Sequence, residues 1–276
     1  PLMGVYIRRR AGGREVLDGL EPPVIFVANH NSHVDTPMIL KMLPAPWRQR
    51  VAVAAAADYF YTKRWAAYAV SLMFNTVPMS RNGGGMSEEA TRHVDRLLAE
   101  RWSLLVYPEG TLTRDPNLWP MTGKSGAARI ALETGCPVIP IGQWGAQEIL
   151  APYTARPHVF PRRTARYKVG DPVDLKDLYE QVQNGRPMTN DLLHEATDRI
   201  MDAITGAGTL PLVEIAFMPQ ALSTRPNPYM DSGVGALDGV GWAEGVGSGD
   251  GVGAMDGVGS GDGVGAVGVG EGVGAT

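Results

Sequence analysis

PPVIFVANHNSHVDTPMIL, residues 22–40, is the stretch on which the fold turns. The apolar run VIFVA (24–28) predicts a strand, and TPMILKML (36–43) predicts a helix, with Thr36 as its N-cap and Pro37 in its first turn. Between them lies the polar turn NHNSHVD (29–35). His30 therefore emerges at the carboxyl edge of a strand. Asp35 falls just before a helix N-terminus, where a carboxylate is favoured.

The same alternation continues outward. VAVAAA (51–56), TVPM (76–79), SLLVY (103–107), PVIPI (137–141) and TARYKV (164–169) read as strands. Residues 62–74, 87–102 and 124–135 read as helices between them, and 189–205 as a further amphipathic helix packing on the outside. The predicted class is α/β, a mostly parallel central sheet flanked by helices. Ligands of such sheets gather outside the carboxyl ends of the strands. Residues 1–225 read as one domain.

Residues 226–276 are a Gly-rich low-complexity tail. From Asp231 onward 18 of 46 residues are glycine, and GVGSGDGVGAMD (245–256) nearly repeats as GVGSGDGVGAVG (257–268). Too little apolar surface is present there to offset backbone entropy, which predicts disorder. The 12-residue period does not fit a calcium-binding nonapeptide repeat. The chain carries 25 basic and 29 acidic residues, and seven of the acids lie in the tail. The first 225 residues thus hold 25 cations against 22 acids, a net +3, although the whole chain is −4. Arg8-Arg9-Arg10 and Arg162, Arg163, Arg166 and Lys168 are the basic concentrations, suited to anionic lipid or a phosphorylated substrate. They form no stripe interleaved with stacking aromatics, so nucleic acid is not an expected partner. A single cysteine, Cys136, excludes an internal disulfide and a thiolate cluster, and reads as a buried structural thiol. No run of 18 apolar residues is present. The chain opens PLMG, which leaves room for an anchoring segment upstream.

Three readings of NHNSHVD compete. His30, His33 and Asp35 offer three metal ligands, but the histidines are three apart with no glutamate between, unlike a metalloprotease helix, and no metal is expected. An imidazole joined by a four-residue turn to a carboxylate is a general base with its orienter. A polar turn satisfying its own backbone is the third.

The ordered blocks bear on this choice. Asn29-His30-Asn31-Ser32-His33-Val34-Asp35 resembles the N-H-x-S-x-x-D block of glycerolipid acyltransferases of the lysophosphatidic acid acyltransferase type. NTVPMSR (75–81), VYPEGTLTRD (106–115), GKSGAARIAL (123–132) and CPVIPIG (136–142) are similar to that family's later blocks, in order. The resemblance covers roughly residues 17–180 and implies a glycerol-3-phosphate acyltransferase-like fold. It implies His30 as base and Asp35 as orienter, in direct attack by a lipid hydroxyl on an acyl thioester. No G-x-S-x-G elbow is present. It further implies acceptor contacts from Arg81, Glu109, Gly110, Thr111, Arg114 and Lys124, with Arg81 on the acceptor's phosphate. Gly110 would let backbone amides approach a ligand, a tight turn being the plainer reading. Leu112 departs from the pattern, standing where an arginine is usual.

The reaction so implied moves an acyl group to the sn-2 hydroxyl of 1-acylglycerol 3-phosphate, giving phosphatidic acid for phospholipid biosynthesis. Glycerol 3-phosphate or another lysolipid is the alternative acceptor, and non-catalytic lipid binding the alternative of another class. The donor would be acyl-CoA or acyl carrier protein, with no cofactor. Residues 65–74 are a candidate wall for the acyl chain. Lipid substrates imply a peripheral or monotopic place on the cytoplasmic face of the cell membrane, with Trp47, Tyr59, Phe60 and Tyr61 as exposed anchors.

Overall fold

Short β-branched runs and amphipathic segments assemble into a seven-stranded sheet with helices on both faces. The computed structural model of the chain describes residues 7–56, 75–79, 88–154, 156–158 and 160–213. The strands are β1 (Ile7–Gly12), β2 (Ile25–Ala28), β3 (Val51–Ala56), β4 (Asn75–Met79), β5 (Ser103–Val106), β6 (Val138–Trp144) and β7 (Arg163–Val169). The helices are α1 (Asp35–Met42), α2 (Ala45–Arg48), α3 (Glu88–Ala99), α4 (Gly126–Thr134), α5 (Lys176–Gln183) and α6 (Asn190–Val213), with a 3-10 turn at Arg14–Gly19. The strand order is β1-β7-β6-β2-β5-β3-β4. Every neighbouring pair is parallel except β6 and β7.

β2 and β5 lie in the middle and are buried along their whole length, as strands covered on both faces must be. Alternate residues serve opposite layers. Ile25 and Val27 join Leu104, Val106 and Val138 under α3 to α6, against Ile130, Leu192, Ile200 and Ile204. Phe26 and Ala28 join Leu105, Ile139 and Ile141 on the other face, under Met38, Ile39 and Met42 of α1. Trp47 belongs to this second layer. It is 8% exposed and meets Phe26 edge-on at 5.8 Å, so it is core and not the exposed anchor expected.

The six expected strands, and the helices expected at 36–43, 87–102, 124–135 and 189–205, recur with shifted ends. Two expectations need correction. Helix α1 begins at Asp35, with Val34 at the cap position and no side-chain cap, so Thr36 is not the N-cap. Strand β1 was not expected at all, because IRRRAG carries no apolar alternation; Ile7 alone is buried there. α5 was also missed. α6 does not merely flank the domain but lies directly on the sheet. A Cβ on Gly142 of β6 would sit 2.2 Å from the backbone nitrogen of Gly208, so only glycine permits that approach. Cys136 is half-buried beside the first layer. The segments 62–74 and 214–276, and with them Tyr59, Phe60, Tyr61 and the tail, lie outside the described residues.

Candidate active site

At the carboxyl edge of β2 the chain must leave the sheet without abandoning its polar backbone groups. Asn29 does this by imitating one more strand residue. Its side chain donates Nδ2–H to the Gln143 carbonyl at 3.1 Å and accepts the Gln143 N–H at 2.9 Å, and Gln143 Nε2 donates back to the Asn29 carbonyl at 2.6 Å. Both residues are buried. The turn that follows is therefore pinned to β6 before it begins.

Asp35 organises the turn. Its Oδ2 accepts the backbone N–H of Asn31 at 2.7 Å and of Ser32 at 2.7 Å, and lies 2.9 Å from His30 Nδ1. It is fully buried, while the His30 side chain is 20% exposed. A carboxylate only accepts, so Nδ1 carries the proton and Nε2 is left with its lone pair. Ser32 fixes the far side of the turn through its Oγ–H to the Leu150 carbonyl at 2.6 Å. His33 is exposed, as expected of a surface residue. Among the described residues no three His, Cys, Asp or Glu side chains converge as a metal site requires.

The segment after β5 closes over this turn. Tyr107 lies flat against the His30 ring, centroids 4.1 Å apart and planes 20° apart. Its hydroxyl pairs with Thr36 Oγ1 at 2.9 Å. Burial, then the Asp35 charge, pushes this phenol well above its ordinary range, so it stays neutral. Glu109 is 3% exposed and joins two segments. Its Oε1 accepts the His30 N–H at 2.9 Å and its Oε2 the Met121 N–H at 3.0 Å. Burial pushes its carboxyl up to about 7, against the opposing pull of those two N–H donors. The His30 carbonyl in turn accepts the Thr113 N–H at 2.8 Å.

The sequence-derived residues thus separate into groups. His30 and Asp35 meet as expected. Glu109 faces backbone donors of the protein with both oxygens, the His30 N–H among them, and so positions His30. Gly110 has φ +69°, a conformation that favours glycine, and its N–H donates to the Tyr107 carbonyl at 2.9 Å. That is the tight-turn alternative, with the amide used internally. The Lys124 stem lies 3.2 Å from where a Gly110 Cβ would be, and Lys124 N–H donates to the Pro108 carbonyl at 2.8 Å. Lys124 and Arg114 are exposed, and Thr111 is half-buried on the same loop. Leu112 is 4% exposed, so a buried apolar side chain stands where the resemblance expects a cation. Arg81 lies outside the described residues. Asn29, Gln143 and Tyr107 were missed: the first two act through long-range backbone pairing, and Tyr107 reads in sequence as the last residue of a strand.

A family model described as Acyltransferase matches residues 8–144. The chain is 26% identical over 144 residues to the chloroplastic 1-acyl-sn-glycerol-3-phosphate acyltransferase BAT2 of Brassica napus, covering 50% of this chain and 38% of that protein. It is 29% identical over 119 residues to the lyso-ornithine lipid O-acyltransferase of Pseudomonas aeruginosa, covering 43% and 42%. The matched stretch spans well under half the length of these curated relatives. Among solved structures, the 1-acyl-sn-glycerophosphate acyltransferase PlsC of Thermotoga maritima aligns with a TM-score of 0.49 and 22% identity, over 75% of this chain and 73% of that one.

Proposed function

From the premise that the chain belongs to an acyltransferase family like that of the 1-acyl-sn-glycerol-3-phosphate acyltransferases, we propose that it transfers a fatty acyl group from a thioester to the hydroxyl of a lysophospholipid. The observation that carries this reading is the buried Asp35 carboxylate holding His30 through Nδ1, with Nε2 left to accept a proton. As the hydroxyl oxygen attacks the acyl carbonyl carbon, His30 Nε2 takes its proton, and Asp35 stabilises the imidazolium that forms. Collapse of the tetrahedral intermediate breaks the carbon–sulfur bond, and the imidazolium returns the proton to the departing thiolate. The donor is acyl-CoA or acyl carrier protein, and the favoured acceptor 1-acylglycerol 3-phosphate, giving phosphatidic acid. The place of action is a membrane surface, the cytoplasmic face of the cell membrane; no described helix is long and apolar enough to cross a bilayer.

A second acceptor reading has its own support. Leu112 is buried where the resembling family carries an arginine, so one phosphate-directed cation is replaced by core. That favours a lysolipid with a different head group, and one relative is named for lyso-ornithine lipid.

The test is transfer of radiolabelled acyl-CoA to a panel of lysolipids by the wild type and His30→Ala. We expect labelled product from the wild type and a loss of about 100- to 10,000-fold in the variant. Equal turnover by both would remove His30 as the base. Retained lipid binding with no transfer to any acceptor would reject the activity.

A further inference from the structure

Beyond the edge of the proposed active site, an open cavity of about 490 Å³ lies between β1 and α1. Arg8, Arg9, Arg14, Lys41 and Arg162 line it, and no carboxylate does. These cations come from four separate stretches of sequence. The parallel register of β1 on β7 aligns Arg9 with Ala165, on the face covered by α1, and brings the Arg8–Arg10 run beside the second basic cluster. Among the described residues Arg8, Arg9, Arg14 and Lys41 make no ion pair. The buried side chains of Ile7 and Met42 supply its apolar wall.

Like charges gathered in one concavity repel one another, and no acid is at hand here of the kind that Arg163 has in Glu148 at 3.8 Å. An anion relieves that repulsion. Guanidinium forks match phosphate oxygens two at a time, and the volume suits a small phosphorylated group. His30 and Asp35 do not line the cavity. We propose that the cavity between β1 and α1 is a binding site for a phosphate-bearing anion, separate from the His30 site. The ligand is either a soluble phosphate compound or the head group of an anionic phospholipid, and the shared chemistry is the phosphate.

The full chain is titrated calorimetrically with inorganic pyrophosphate and sedimented with phosphatidylcholine vesicles with and without phosphatidylglycerol. Wild type, His30→Ala and the double variant Arg9→Gln/Lys41→Gln are compared. Wild type and His30→Ala should behave alike, and the double variant should bind at least about tenfold more weakly for each cation removed. Loss of pyrophosphate binding with unchanged sedimentation assigns a soluble ligand. Loss of phosphatidylglycerol-dependent sedimentation assigns the head group. If both probes bind the double variant as they bind the wild type, or neither binds the wild type, the site is refuted. Acyl transfer enters none of these measurements, so such a failure leaves the proposed activity standing.

Discussion

His30 is held from several directions at once. Asp35 takes its ring N–H, Glu109 its backbone N–H, Thr113 reaches its carbonyl, and Tyr107 lies under the ring. These restraints can be separated by substitution. Asp35→Asn keeps an oxygen able to accept all three N–H groups but loses the charge that favours the imidazolium. We predict a fold of unchanged thermal midpoint and a rate lower by roughly 100- to 10,000-fold, measured by melting and by acyl transfer together. Tyr107→Phe removes only the bond to Thr36, and should cost about 1 kcal/mol in denaturant titration while sparing the rate. Glu109 carries a pH signature. Its folded-state carboxyl titrates near 7, above the 4.5 of an ordinary glutamate, so the folded form holds a proton that the unfolded form releases. Stability from this group is therefore complete below about 4.5 and is lost as pH rises towards 7, by roughly 3 kcal/mol in all. Glu109→Gln, compared with wild type by denaturation at pH 5 and pH 8, should lack that part of the slope. An identical slope in the two proteins would contradict it.

At the scale of elements, the central strands were legible because burial on both faces leaves an uninterrupted apolar word: VIFVA, SLLV and VIPI announce themselves. The edges were not. β1 reads as three arginines, since an edge strand with solvent on most sides needs no apolar alternation, and only its pairing with β7 makes it a strand. Asp35 was legible as the partner of His30 but not as the first residue of α1, because Thr36 followed by proline imitates a cap. The long-range residues, Asn29 and Gln143, leave no local signal, being 114 positions apart. The seating of α6 on β6 was equally hidden, for it rests on the hydrogen atom of Gly142. Gly142→Ala forces a methyl into the Gly208 backbone, and we predict a loss of about 1–3 kcal/mol with α6 displaced, seen as lowered thermal stability and faster amide exchange in 190–208.

Across the whole molecule, charge is divided along the chain. Residues 1–225 carry a net +3, and the seven acids beyond them bring the total to −4. Ending the chain at residue 225 should strengthen binding to anionic vesicles at low salt, with the gain fading as ionic strength shortens the screening length to roughly 10 Å or less. No difference at low salt would mean that the acids beyond residue 225 do not influence the surface. The arrangement around Glu109 has a further consequence at this scale. One carboxylate fastens the turn bearing His30 to the Met121 end of the loop bearing Arg114, so the two cannot drift independently. On the proposed reading, in which Arg114 grips a polar group of the acceptor, that group is kept at a set reach from the nitrogen of His30, and the pair works as a ruler. Molecules would then be sorted by the span between head group and hydroxyl, before any pocket judges their shape.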